Sequence, residues 1–427
     1  RTGMRAAPAH RHRQQHRSTR RQPILNAIRK TVVLHDVDSR IPNLALLKLS
    51  TFHRQQGWHV VLSRARDGAR PAARLDADKH LASVVFRTPV AARAVEQLQA
   101  LYGDRIEFGG SGVDLGKRLP PEVESCFPDY SLYDHKLYAL GFLTRGCNKR
   151  CDFCVVPEKE GRLKRQAASF DDFVPDGQRN VLLLDDNLLA YPGVEDLLGE
   201  MIARRYAINF SQTLDIAYLD EARFRLLCQV DSRNARFTKR LIYFSLNHPR
   251  DIRQFEKRAE LLKGFGRHGV AVIMLYGFDT SLSEDYERFR FIRRKGYIPF
   301  FQQYWPIAGV PDRVPDDYFD MDLNAMIRLT FHSNGQNWEK YLLWINTFYF
   351  QRYGRYYRPL IEILYRYNNR HRLEWFRMNP ACMSDELYRD HRDSLAELHA
   401  TLRQQSLGPR PPRGLSRWLA QAAPDST

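Results

Sequence analysis

The sequence predicts an α/β protein with a small doubly wound N-terminal α/β domain, an open (β/α)6 barrel and a helical C-terminal region. Two alternations of strand-like and helix-like segments, one before and one after Lys136, indicate the first two parts. The loss of strand-like runs after Pro311 indicates the third. The predicted boundaries are a basic tail at 1–24, the small domain at 25–130, the barrel at 131–310 and the helical region at 311–427.

The first alternation has the length of one small α/β unit, with short Gly or Pro breaks between its segments. The Gly109–Gly112 turn after its last strand is either a tight turn or a phosphate-binding turn, and the sequence leaves both open. The predicted strands are Thr31–Leu34, Val60–Leu62, Ser83–Phe86 and Arg105–Phe108. The predicted helices are Asn43–Gln56 and Val90–Tyr102.

The second alternation consists of strand–helix units at a spacing of roughly 30 residues, which is typical of a parallel, barrel-like sheet. Because a closed barrel of this type needs about eight strands, the smaller number here predicts a barrel that is open on one side. The predicted strands are Leu137–Leu143, Asn180–Leu184, Ile208–Ser211, Leu241–Leu246, Val270–Tyr276 and Ile298–Gln302. The predicted helices are Gly193–Arg204, Asp220–Gln229, Ile252–Gly264 and Ser283–Lys295.

Beyond Pro311, aromatic residues cluster with arginine between Trp338 and Trp375. Aromatic residues at helical spacing predict helices that pack against the barrel. The alternative is a surface that grips the substrate or stacks nucleobases.

The chain of 427 residues has a net charge of +17, and nine lysines and arginines without an acid lie within residues 1–35. A like-charge segment of this kind predicts a disordered, solvated tail, with a nucleic-acid-binding arm or an Arg-rich transit peptide as alternatives. No stretch reaches the roughly 20 apolar residues of a membrane span, so no membrane partner is expected. Three of the six cysteines fall within eight residues, which indicates a reducing compartment and a thiolate-bound metal rather than a disulfide scaffold.

The clustered cysteines are Cys147, Cys151 and Cys154, separated by three and then two residues. Thiolates are the usual ligands of iron–sulfur clusters. A four-iron cluster has four corners, so three cysteines leave one iron open to chelate a substrate, as catalytic metal sites do. The loop follows the first predicted barrel strand, at the mouth where barrel enzymes work. A structural zinc site needs a further paired ligand, and Cys228 and Cys382 each stand alone.

This CxxxCxxC pattern, with the aromatic residue Phe153 before the last cysteine, resembles the hallmark of radical S-adenosylmethionine (radical SAM) enzymes. Arg145-Gly146 before the motif and Val155–Pro157 after it are similar to the subgroup that places a cobalamin-binding-type domain before the barrel. The resemblance covers about residues 30–310.

The resemblance implies that Cys147, Cys151 and Cys154 hold a catalytic [4Fe-4S] cluster whose open iron binds the amino and carboxylate groups of S-adenosylmethionine. An electron from the cluster splits the C–S bond, and the 5′-deoxyadenosyl radical abstracts a substrate hydrogen. It also implies an external electron donor such as flavodoxin or ferredoxin and a cytoplasmic, oxygen-sensitive enzyme. The sequence does not indicate which small molecule, peptide or nucleotide is the substrate.

Two polar residues after the second barrel strand match the position where the family contacts the methionine amino group. Asp186 and Asn187 are therefore candidate cofactor-binding residues, because an ammonium group needs a carboxylate or amide oxygen as its partner. The alternative is a solvated helix cap before Leu188.

Further candidates follow the fourth and fifth strands. Ser245 and Asn247 match the position where similar enzymes contact the ribose. Tyr276 and Gly277 match the position where they line the adenine.

The N-terminal domain departs from the cobalamin-binding pattern, which often carries Asp-x-His-x-x-Gly after its first strand. Here Asp36 is followed by Asp38 at the histidine position and by Ile41 at the final glycine position. Without the cobalt ligand, cobalamin is not expected, and the domain is interpreted as a structural relic or a substrate platform.

Two rival functions remain. The first is a cobalamin-dependent radical SAM methyltransferase, which the missing histidine argues against. A non-enzymatic nucleic-acid-binding iron–sulfur protein would use the basic tail and the C-terminal Arg/aromatic surface, and it predicts salt-sensitive binding that ignores loss of the cluster.

Overall fold

A computed structural model describes residues 30–64, 75–86, 88–162, 164–266 and 268–304. The predicted tail at 1–24 and the predicted helical region at 311–427, with its Arg/aromatic surface, lie outside the described residues.

The N-terminal alternation forms a four-stranded, fully parallel sheet in the order β2-β1-β3-β4. Ala91 and Leu98 pack with Ala82 in one apolar cluster, whereas Leu46 packs with Val32 in another. Helices on both faces of a parallel sheet make this unit doubly wound, as predicted. Its strands are β1 (Thr31–Asp36), β2 (His59–Arg64), β3 (Lys79–Ser83) and β4 (Ile106–Gly109), and its helices are α1 (Leu44–Gln55), α2 (Pro89–Tyr102) and α3 (Pro121–Glu124).

The two long helices begin at the capping residues that the sequence provides. Asn43 accepts a hydrogen bond from the backbone N–H of Leu46, and Thr88 accepts one from Ala91 before a proline at the first turn. The strand predicted at Ser83–Phe86 is wrong in its position, because β3 ends at Ser83. The apolar residues 84–86 after it form a loop, and Asp38 accepts hydrogen bonds from the backbone of this loop.

The second alternation contains seven parallel strands, the six that were predicted and one short additional strand. β5, β8, β9 and the short β10 form one sheet, and β11, β12 and β13 form another. A parallel bridge between Leu214 and Phe244 joins β9's continuation to β11. These strands are β5 (Ala139–Gly141), β8 (Asn180–Leu183), β9 (Ala207–Phe210), β10 (Asp231–Ser232), β11 (Leu241–Ser245), β12 (Gly269–Tyr276) and β13 (Ile298–Gln303). All six strands predicted for the barrel are present, and within the described ranges β5 and β13 do not pair.

The connecting helices follow the prediction except at one place. Helix Ile252–Gly264 was expected to be continuous, and the structure divides it at Arg258, whose ψ of 13° leaves the helical region. The Arg258 guanidinium donates to the carbonyls of Ala217 and Leu219, so a tertiary contact interrupts an apolar pattern that is locally helical. The helices are α5 (Val194–Ala203), α6 (Glu221–Gln229), α7 (Ile252–Lys257), α8 (Ala259–Lys263) and α9 (Leu282–Arg294).

A small antiparallel hairpin flanks the cysteine loop. Its antiparallel strands are β6 (Thr144–Arg145) and β7 (Arg165–Gln166), and the single-turn helix α4 (Val156–Lys159) lies between them. One large apolar cluster fills the space between the parallel strands of the second alternation and their helices. In the described part of the chain, no helix has the length and apolar character needed to cross a membrane.

Candidate functional site

One cavity of about 550 Å³ lies at the C-terminal ends of the parallel strands. The cysteine loop, the residues after β8, β9, β11 and β12, and two loops of the N-terminal sheet all contribute to its walls. Of the sequence-predicted site residues, eight line this cavity: Cys147, Cys151, Phe153, Cys154, Asp186, Asn187, Ser245 and Asn247.

The start of the cysteine loop is fixed by a fully buried carboxylate. Asp185 accepts hydrogen bonds from the backbone N–H groups of Leu143 and Thr144, at 3.0 and 2.6 Å, and from the Thr144 hydroxyl at 2.6 Å. Burial raises the pKa of Asp185, and these hydrogen bonds oppose that shift. The aspartate beside the predicted ligand Asp186 therefore has a structural task, which the sequence did not distinguish.

Backbone contacts hold the remainder of the loop. The Cys147 N–H donates to the carbonyl of Gly161 at 3.1 Å, and the Cys154 N–H donates to that of Cys151 at 2.9 Å. Gly146 has a φ of 88°, a conformation that favours glycine, immediately before the first cysteine. Arg145 connects this loop to the N-terminal domain through an ion pair with Glu124, and it pairs with Glu160 within the cysteine segment itself.

The three thiols are free of disulfides, and all face the cavity. Burial raises the pKa of Cys154 to about 12 and also raises that of Cys151, so both thiols are protonated until a metal displaces the protons. Within the described ranges, no three His, Cys, Asp or Glu side chains are gathered around a metal position. The donor chemistry of three thiols on one cavity wall nevertheless fits an iron–sulfur cluster and leaves the fourth corner to a ligand in the cavity.

Asp186 and Asn187 lie on the cavity wall where β8 ends. Burial is the main cause that raises the pKa of Asp186 to about 6, and the Lys164 cation opposes it. Asn187 adopts a left-handed conformation with φ of 44°, and its amide nitrogen lies 3.8 Å from the Cys147 sulfur. Among the described residues, the buried Asn187 Oδ1 has no hydrogen-bond partner. The pair thus presents two oxygen acceptors beside the cysteine loop.

Ser245 and Asn247 line the cavity after β11. The Asn247 Oδ1 accepts from the backbone N–H of Leu275 at 3.3 Å, which ties β11 to β12 at their C-terminal ends. Below them, the fully buried Arg288 of α9 donates to the carbonyls of Leu246, Asn247 and Leu275. These contacts fix the ends of both strands.

Tyr276 and Gly277, predicted to line the adenine, are not among the residues that line the cavity. Successive residues of a strand point to opposite faces; Ile273 and Leu275 line the cavity, so the Tyr276 side chain enters the core, where it is 1% exposed. Gly277 is not among the lining residues either, and its φ of 77° serves the turn after β12. Leu275 and Phe278 occupy this side of the cavity instead.

Sequence reasoning missed several further lining residues. Ser211 and Thr213 follow β9, and their position after a predicted strand is a signal that could have been used. Lys149, within the cysteine loop, forms an ion pair with Asp215 at 2.7 Å. No sequence pattern pairs these two residues, because the contact exists only when two loops meet.

The N-terminal sheet reaches the same cavity through Val85, Phe86 and Ser111. Asp38, which stands at the cobalt-ligand position of the cobalamin pattern, accepts the backbone N–H groups of Val85 and Phe86 at 2.8 and 2.7 Å. Both of its oxygens are therefore engaged with the protein's own backbone.

No family model matches the chain. It is similar to enzymes named tRNA-2-methylthio-N(6)-dimethylallyladenosine synthase: 36% identical over 95 residues in Acidithiobacillus ferrooxidans and 29% over 136 residues in Paracidovorax citrulli. The first match covers 19% of this chain and 21% of the relative, and the second covers 29% and 28%. The chain thus matches only 21% and 28% of the length of these two relatives.

Among solved structures, SuiB from Streptococcus suis bound to S-adenosylmethionine has 15% identity and a TM-score of 0.31, covering 51% of this chain and 48% of that one. This likeness is too low to assign the fold or the function. The sequence similarity to the two synthases and the CxxxCxxC loop at the cavity both support the predicted resemblance to the radical SAM superfamily.

Proposed function

We propose that the chain is a radical SAM enzyme that binds S-adenosylmethionine in the cavity and begins its reaction by abstracting a hydrogen atom from a substrate. The observation that carries the proposal is the shared cavity. The thiols of Cys147, Cys151 and Cys154 line it together with the oxygen acceptors of Asp186 and Asn187.

In this proposal the three cysteines hold a [4Fe-4S] cluster, which supplies the electron that cleaves the C–S bond of S-adenosylmethionine. The Asp186 carboxylate and the Asn187 amide oxygen accept hydrogen bonds from the methionine ammonium group. Ser245 lies on the ribose side after β11, since a serine hydroxyl can both donate to and accept from ribose hydroxyls.

Apolar residues complete the cavity and limit the access of water. Leu275 and Phe278 are almost completely buried and form the wall beside β12. Phe153, next to Cys154, packs edge-to-face against Phe278 with the ring centroids 5.8 Å apart. This wall offers a flat apolar surface to the adenine and excludes water from the reacting atoms.

The experiment is anaerobic reconstitution followed by reduction in the presence of S-adenosylmethionine. The protein should bind about four iron and four sulfide per chain, absorb broadly near 400 nm, and release 5′-deoxyadenosine and methionine. The triple Cys147/Cys151/Cys154→Ala variant should bind no cluster and form neither product, whereas the matched Cys126→Ala variant should behave as wild type. Stoichiometric zinc without iron, or a fully loaded and reduced protein that forms no 5′-deoxyadenosine, would contradict the proposal.

The substrate is a separate question. The named relatives act on tRNA, but the similarity covers only a small part of each chain. The rival nucleic-acid-binding protein predicts salt-sensitive binding of tRNA that is equal in the wild type and in the triple cysteine variant. The cobalamin-dependent rival is disfavoured because Asp38 is already bonded to the loop after β3.

A further inference from the structure

The N-terminal sheet reaches the cavity at the position where doubly wound sheets bind ligands. Its strand order, β2-β1-β3-β4, places β1 beside β3. The chain after β1 continues to β2 at one edge of the sheet, and the chain after β3 continues to β4 at the other edge. A crevice opens outside the carboxyl ends of two such strands, and ligands of these folds bind there. The loop after β3 carries Val85 and Phe86, which both line the cavity.

Close backbone packing brings a second loop to the same place. The turn after β4 approaches Val84 so closely that a Cβ on Gly110 would lie 2.2 Å from the Val84 carbonyl oxygen. A Cβ on Gly112 would lie 2.8 Å from that of Phe86. The Gly112 N–H donates to Val84 at 3.0 Å. The glycines therefore serve contact between two loops, and Ser111 between them faces the cavity.

Asp38 fixes the first of these loops. Its two carboxylate oxygens each accept one backbone N–H, from Val85 and from Phe86. Hydrogen bonds to a carboxylate are about twice as strong as those between neutral groups. The direction of the Phe86 backbone, and with it the position of the ring, depends on this carboxylate.

The Phe86 ring differs from the other aromatic rings of the cavity. It is 49% exposed, whereas Phe278 and Tyr304 are 6% and 5% exposed. An aromatic ring that is held on a cavity wall and still open offers a face for stacking another ring.

Ser111 adds a hydrogen-bond donor to this wall. Lys159 donates to the Ser111 Oγ, so that oxygen is the acceptor in their contact. The hydroxyl hydrogen has no acceptor among the described residues and can be donated to a group in the cavity.

We propose that these two loops are the substrate-binding wall of the cavity and take a planar ring that carries an oxygen acceptor. Phe86 stacks on the ring, Ser111 donates to the oxygen, and Asp38 is a positioning residue that holds Phe86. The proposal rests on the proposed function in one respect: S-adenosylmethionine occupies the opposite side, beside Asp186 and Asn187.

The test measures the binding of indole-3-carboxylate to the full-length, reconstituted and unreduced protein saturated with S-adenosylmethionine, by titration calorimetry. Cyclohexanecarboxylate is the non-planar comparison. Indole-3-carboxylate should bind in the millimolar range or tighter, and Phe86→Ala should weaken it about tenfold or more. Phe86→Tyr should retain the affinity because the ring remains. Phe127→Ala removes a ring that is 39% exposed but does not line the cavity, and should change nothing.

Two further variants separate the roles. Ser111→Ala should weaken indole-3-carboxylate by several-fold but leave 3-methylindole, which has no oxygen acceptor, unchanged. Asp38→Asn should weaken both ligands, because one of the two loop N–H groups loses its acceptor. The control variant Phe127→Ala should leave the affinity for both ligands unchanged.

Three results would overturn the proposal. The first is equal binding of the planar and non-planar acids, and the second is an unchanged affinity in Phe86→Ala. The third is no binding of indole-3-carboxylate at about 20 mM, a concentration that detects millimolar affinity. The proposed function is tested separately, by uncoupled cleavage of S-adenosylmethionine in the absence of any ring ligand, which should be unchanged in Phe127→Ala. Failure of cleavage with intact ring binding would contradict the proposed function and leave the substrate wall standing.

Discussion

The N-terminal sheet ends at the same cavity as the larger sheet, which the Leu214–Phe244 bridge forms from the two sheets of the second alternation. The acidic residues at the ends of their strands are engaged differently. In the N-terminal sheet, Asp36 accepts from Tyr133 and pairs with Arg64, and Asp38 accepts two backbone N–H groups. In the larger sheet, Asp185 is engaged in the same way, but its neighbour Asp186 lines the cavity. An aspartate at the end of a strand therefore either stabilises the fold or lies on the cavity wall, depending on whether nearby backbone N–H groups donate to its carboxylate.

The largest expected effect concerns stability at Asp185. Asp185→Ala leaves the buried N–H groups of Leu143 and Thr144 without an acceptor, which should lower the free energy of unfolding by about 3 kcal/mol. Urea denaturation of the protein before reconstitution measures this change. Glu260→Ala, which removes the exposed ion pair with Lys263, is the control and should leave the midpoint unchanged. An equally small effect at Asp185 would remove the distinction between the two aspartates.

Asp186→Ala should have the opposite profile. Loss of a charge-assisted partner should weaken S-adenosylmethionine binding by about ten- to a hundredfold, while iron content and the denaturation midpoint stay close to wild type. Equilibrium dialysis with the oxidised cluster measures the affinity. An unchanged affinity would show that Asp186 does not contact the ammonium group.

The pKa of about 6 for Asp186 gives this comparison a pH dependence. The carboxyl is ionised above pH 6 and protonated below it, so affinity for the ammonium group should fall by about tenfold between pH 7.5 and 5. Asp186→Asn cannot titrate, and its weaker affinity should be independent of pH over this range. A parallel decline in both proteins would assign the titration to another group.

The N-terminal sheet should respond to acid through its stability rather than its ligand affinity. His35 is buried beside His80, with 3.1 Å between ring nitrogens, and burial lowers its pKa from 6.5 to about 4. Between pH 6.5 and 4 the unfolded chain binds more protons than the folded protein. The free energy of unfolding therefore has its full value above pH 6.5 and decreases as the pH falls toward 4. From pH 7 to 5 the loss is roughly 2 kcal/mol.

Urea denaturation at the two pH values measures this loss. His35→Gln keeps a donor for His80 but cannot titrate, and it should show a smaller decline. The same decline in both proteins would exclude His35 as its source.

The order of secondary structure was predictable because its signals are local. The capping residues Asn43 and Thr88 stand next to the helices that they begin, and each buried strand of the larger sheet is an apolar run. The exceptions have tertiary causes. Arg258 divides a predicted helix because its guanidinium reaches carbonyls about forty residues away in the chain.

The sequence by itself determined the α/β alternation, the six parallel strands and the three-cysteine loop, because periodicity and spacing are properties of neighbouring residues. Only the tertiary structure decided which side chains reach the cavity. Tyr276 points into the core because strand register sends Leu275 to the cavity, and Asp185 supports the loop because the hairpin brings Thr144 to it. Strand register and long-range hydrogen bonds depend on partners distant in the chain, so adjacent residues of equal chemistry acquire different tasks.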